Sequence, residues 1–88
     1  MDSNHISVLY FAGLMEKQLL DNAHKGAWDN IDPLWLYAKL VEEVGELSRA
    51  IRDSSHIPSM IVHEAVDVAN MAMMIADVFR VKYGSSER

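Results

Sequence analysis

Two pairs of carboxylates, Glu43 with Glu46 and Glu64 with Asp67, are the residues of this chain best suited to chemistry. Each pair is spaced i, i+3, which puts both acids on one side of a helix. The stretch between the pairs holds a turn centred near Ser55. Glu46 and Glu64 each stand nine residues from that point, Glu43 and Asp67 twelve. In an antiparallel helical hairpin, equal distances from the turn mean equal heights, so the pairs are expected to face each other. Four like charges so placed raise one another's pKa unless something positive intervenes. Lys39, Arg49 and Arg52 could salt-bridge some of them, but these three are scattered along one helix. A hard divalent cation such as Mg²⁺ fits the set better, as one ion or two, with substrate phosphates completing its shell. A di-iron bundle needs Glu-x-x-His pairs, and none exists here: three residues after Glu43, Glu46, Glu64 and Asp67 stand Glu46, Arg49, Asp67 and Asn70. His63 is offset about 100° from Glu64 and is read as a structural or supporting residue.

Three helices must position these groups, because helical periodicity dominates and strand alternation is nearly absent. The first is expected over 4–24, with Ile6, Leu9, Tyr10, Leu14, Leu20 and Ala23 near helical spacing and Gly26 as a left-handed stop. Asp32-Pro33 reads as an N-cap followed by proline at the first helical position, opening a helix over 33–53. There Leu36, Leu40, Val44, Leu47 and Ile51 fall in one arc roughly 80° wide. Glu43 lies at the margin of that arc, Glu46 further round, and Glu42 nearer to water. The third helix, 58–83, starts at Pro58 and ends at Gly84 before a polar tail. From Ala65 to Phe79 it is apolar almost all round, apart from a narrow stripe of His63, Glu64, Asp67, Asn70 and Asp77. Such a helix is buried on most sides, and three helices cannot enclose it alone. The expected fold is therefore all-α: an antiparallel hairpin plus an N-terminal helix, completed to a bundle by a homodimer or homotetramer.

Bulk properties narrow the function. Eighty-eight residues make one domain, 1–88, with a marginal core of its own. A net charge of −5 with only 8 basic residues argues against a nucleic-acid partner. The absence of cysteine excludes disulfides and thiolate zinc sites. No apolar run reaches the roughly 18 residues that span a bilayer, and no signal-peptide pattern opens the chain, so a soluble, cytoplasmic protein without a membrane partner is expected.

The segment Glu42-Glu43-Val44-Gly45-Glu46, followed by Glu64-Ala65-Val66-Asp67, resembles the E-E-x-x-E … E-x-x-D signature of the MazG-like, all-α nucleoside triphosphate pyrophosphohydrolases. Each half alone is weak, since E-x-x-E occurs on many solvated helices; both at this separation are specific. The resemblance covers roughly 11–77 and includes Asn70 and the segment Lys25-Gly26-Ala27-Trp28-Asp29. It implies Mg²⁺-dependent hydrolysis of a nucleoside triphosphate to the monophosphate and pyrophosphate, with Mn²⁺ able to substitute. Glu43, Glu46, Glu64 and Asp67 match the family's metal ligands. Glu42 matches an outer acid that orients or deprotonates the attacking water, and Asn70 a residue near the nucleotide. Lys25 reaching a phosphate and Trp28 stacking on a base are weighed against a solvated lysine and a tryptophan that plugs the loop. Met71, Met73 and Met74 are read as core or interface packing, with lining of the base pocket as the lesser reading, and Trp35 as interface or packing. Many relatives carry a further helix or domain after the second motif. Phosphoribosyl-ATP or dUTP hydrolysis is the neighbouring enzymatic reading. A non-catalytic helical module binding nucleotide or protein is the alternative from another class.

Overall fold

The computed structural model describes residues 3–23, 26–53 and 57–83. They form three helices, α1 (Ser3–Asp21), α2 (Pro33–Arg52) and α3 (Pro58–Tyr83), with no strand among the described residues. The start of α2 is built as its sequence dictates. Asp32 sits in extended conformation (φ −60°, ψ 124°) with Pro33 next, and its side chain accepts from the Leu34 amide at 3.0 Å. At the far end the Asp53 amide returns to the Arg49 carbonyl, and Arg49 and Arg52 lie in the last turn. Basic groups there complement the negative end of the helix dipole. The α2–α3 turn near Ser55 lies outside the described residues, as do Gly84 and the tail.

α1 ends three residues earlier than periodicity suggests. The Asn22 amide N–H is shared between the carbonyls of Gln18 and Leu19, at 3.1 and 3.2 Å, and its side-chain amide also donates to Gln18 at 3.0 Å. That local competition closes the helix. Gly26 follows with φ +92°, the left-handed conformation expected of it, and its amide bonds the Ala23 carbonyl.

α2 and α3 make the principal packing contact, and α1 lies against α3 more sparingly. The core is small: Leu36, Val66 and Val78 are almost wholly buried, with Asn70 the polar residue among them. The buried face of α2 is rotated from the expected one. Val44 and Ile51 are exposed, whereas Lys39, Leu40, Glu43, Leu47 and Ala50 are partly covered. Glu43 therefore sits inside the packed arc, not at its margin. α1 behaves alike: Ile6, Leu9, Tyr10 and Leu20 point outward, and Phe11, Leu14, Met15, Gln18 and Leu19 face inward. The apolar stripes visible in the sequence are thus broader than the described residues cover.

The expectation that α3 is buried on most sides holds only for its inner face. By length and composition α3 could cross a membrane, since an 18-residue window within Pro58–Lys82 reaches a mean hydropathy of 1.2. The core helix of a soluble protein passes the same test, and Glu64, Asp67 and Asp77 interrupt any unbroken apolar run.

The cap gives a direct check on how α2 is anchored. Asp32→Ala is expected to cost about 1 kcal/mol in urea denaturation, whereas Asp32→Asn, an equally good cap, should stay near wild type.

Candidate metal-binding and substrate site

Packing α2 antiparallel on α3 brings the acids together. Glu43 from α2 and Glu64 and Asp67 from α3 each turn one carboxylate oxygen to a common point, with the three atoms within 4.8 Å of one another. The facing order is the one read from equal heights. Asp67 is the strongest like charge on Glu43, and Glu46 the strongest on Glu64. Oε1 of Glu43 and Oε1 of Glu64 are shielded from solvent and have no hydrogen-bond partner. A buried carboxylate oxygen without a donor is costly, so the arrangement calls for a positive partner.

Burial first, and the like charges of Asp67, Glu46 and Glu64 next, push the Glu43 carboxyl above its ordinary value of 4.5; Lys39 opposes them. Glu64 is raised in the same way, by burial first and then by the charges of Glu46 and Asp67; His63 lowers it, and last a carboxyl–carboxyl hydrogen bond to Glu46 raises it. Three converging carboxylates, two of them with a partnerless buried oxygen, form the donor set that a hard divalent cation takes. His63 extends along α3 toward Asp67, its Nε2 at 3.7 Å from the Asp67 carboxylate. It therefore supports a member of the cluster, in line with its expected role.

Two sequence candidates lie outside this triad. Glu46 is exposed and stands at the rim, touching Glu64 rather than converging with the three. Glu42 points into solvent and pairs with Lys39 at 3.2 Å, turned away from the cluster. Lys25 lies outside the described residues.

A cavity of about 710 Å³ opens beside the triad, with Glu43, Asp67 and Asn70 in its lining. Leu19, Ile31, Trp28, Trp35, Met71 and Met74 supply apolar and aromatic walls. Met71 and Met74 thus face this space, while Met73 does not line it. Asn70 is 4 % exposed; its amide nitrogen donates to the Met15 carbonyl of α1 at 3.3 Å, leaving Oδ1 without a donor. That oxygen is a third unsatisfied acceptor in the site. Trp28 both lines the cavity and anchors its loop, because its indole N–H donates to Asp77 at 3.1 Å. Asp77 also accepts from Arg80 at 2.6 Å, and these two bonds, Arg80 foremost, hold its carboxyl below the ordinary 3.8.

Sequence reasoning took Lys39 as a possible ion-pair partner of the acids and missed its place in the cavity wall. Lys39 lines the cavity, with its ammonium 5.7 Å from the centre of the Trp35 ring, and its charge opposes the raising of Glu43. Its position four residues before Glu43 was the available signal. The Trp28–Asp77 bond spans 49 residues and had none.

No model of a known protein family, no curated protein and no solved structure matches this chain. What the site can do is therefore argued from its own residues.

The raised acids carry a consequence for stability. Because Glu43 and Glu64 titrate higher in the fold than in the unfolded chain, their contribution is full below about pH 4.5 and is lost as pH rises through their folded values. Asp77 acts oppositely, losing its contribution as pH falls below 3.8. In metal-free buffer, Glu64→Gln should melt about 2–5 °C above wild type at neutral pH, the gap closing toward pH 4.5, as followed by circular dichroism.

Proposed function

We propose that this protein is a divalent-metal-dependent nucleoside triphosphate pyrophosphohydrolase, cleaving the α–β phosphoanhydride to give a monophosphate and pyrophosphate. The observation that carries the reading is the convergence of Glu43, Glu64 and Asp67, with two buried partnerless oxygens, beside an aromatic-walled cavity. The motif resemblance supports the same reading. So does the cavity's size, which lies within the range of small-ligand sites.

The residues fit Mg²⁺, with Mn²⁺ able to substitute: Glu43, Glu64 and Asp67 would hold it, and Glu46 at the rim would complete the set or reach it through water. Once bound, such an ion supplies neutralisation of the polyphosphate and a lowered pKa for a bound water. The chain's own groups do the rest. An acidic cluster repels a bare triphosphate, so productive binding and counter-charge are coupled. Glu46, exposed beside Glu64, is better placed than Glu42 to accept the proton of the attacking water. Glu42 instead holds Lys39, which lines the cavity and whose ammonium suits a phosphate oxygen. Oδ1 of Asn70 accepts a ligand hydroxyl or amino hydrogen, and the faces of Trp28 and Trp35 offer stacking surface for a base. The apolar surface left open on the helices supports self-association into a homodimer or homotetramer.

A pyrophosphate-release screen over common and modified nucleoside triphosphates, with and without Mg²⁺, tests this. Turnover should require the metal and fall by at least about 100-fold in Asp67→Asn and Glu64→Gln, since even residues behind metal ligands are worth about 10–100-fold. Glu42→Gln should lose less than either. No turnover across the panel, with Mg²⁺ leaving the melting temperature unchanged, would leave a helical binding module as the better description.

A further inference from the structure

The outward face of α2 carries an apolar stripe that the described residues leave largely uncovered. Leu34, Tyr37, Val41, Val44 and Ile51 are 75, 57, 52, 47 and 57 % exposed, and the half-buried Ser48 completes the row. At about 100° per residue these six positions occupy an arc of about 100°, separate from the Leu36, Glu43 and Leu47 face that packs on α3. Their spacings run 3, 4, 3, 4, 3. That is the seam of a left-handed helix pair, with an average repeat of 3.5 residues. Ala38 and Gly45, seven residues apart on its flank, allow close approach of a second backbone.

We infer that this seam pairs α2 with α2 of a second copy of the chain, antiparallel, about a two-fold axis passing between Val41 and Val44. This identifies the surface behind the self-association included in the proposed function, and rests on that part of it alone. Three observations select a second copy as occupant. The row of spacings reads the same from either end, so an antiparallel mate sets Leu34 opposite Ile51, Tyr37 opposite Ser48 and Val41 opposite Val44. A two-fold interface demands that self-complementarity. Charge agrees: the row itself holds no charged residue, so this register sets no like charges face to face. The helix dipoles then also run in opposite directions. Area agrees too. The chain exposes 6552 Å² at 9.9 kDa, about 1,300 Å² more than the ~5,200 Å² expected of a compact monomer. A standard interface takes about 800 Å² from each partner.

Sedimentation equilibrium and disulfide trapping test the register together. Wild type should sediment as a dimer or an even multiple of it, and Val41→Glu should weaken dimerisation by at least about 100-fold while keeping its helical circular dichroism, because the side chain is exposed in the protomer. The chain has no cysteine, so the double variant Leu34→Cys/Ile51→Cys offers only two thiols. They lie about 25 Å apart within one α2 and cannot join intramolecularly. Mild oxidation should give a covalent dimer from the double variant and little from either single one. A monomeric wild type, with or without binding to lipid vesicles, would overturn the inference. So would an undiminished dimer in Val41→Glu, which would point to another face, or efficient trapping of Leu34→Cys alone, which would mean parallel helices. None of these readouts involves turnover, so their failure leaves the hydrolase reading to its own assay.

Discussion

Packing α2 against α3 forces three carboxylates into one place, and the rest of the site follows from that contact. Burying Glu43 and Glu64 beside Asp67 costs the hairpin free energy, because desolvation and mutual repulsion act in the same direction on each acid. The apolar contacts that offset it are few, with Leu36, Val66 and Val78 the wholly buried hydrophobic side chains among the described residues. A fold this small tolerates such a cluster more easily when a positive ligand neutralises it. Binding would then add to stability by mass action.

The cavity beside the cluster joins acidic and amide oxygens to flat aromatic surface in one lining. Two long-range bonds hold that lining together. Asn70 ties α3 to α1 through the Met15 carbonyl, and Trp28 ties the α1–α2 loop to α3 through Asp77. Each residue therefore has a holding role and still presents a free surface to the cavity: the Asn70 oxygen and the Trp28 ring. The two readings weighed for Trp28, a plug or a stacking surface, do not compete in this geometry, since the indole edge does one job and its face can do the other.

The excess of apolar surface has the same origin as the small core. Three helices in 88 residues cannot bury an apolar stripe on more than one side, and both α1 and α2 carry apolar residues over a wider arc. On α2 the two faces differ: one holds Glu43 against α3, and the other stays largely exposed. A substitution on the outer face therefore leaves the carboxylates untouched.

The amino-acid sequence by itself determined the helices, the cap at Asp32, the left-handed turn at Gly26, and the facing of Glu43 with Asp67 and Glu46 with Glu64. These depend on local hydrogen bonding and on a fixed rise per residue, which spacing encodes. The tertiary structure alone decided which of two apolar arcs on α2 turns inward, and so why Glu43 is enclosed while Val44 and Ile51 are not. It also separated Glu46 and Glu42 from the converging three and joined Trp28 to Asp77. A helix with apolar residues over a wide arc has several orientations that differ little in local energy. Only the partners packed against it choose among them, and those partners lie far away in the chain.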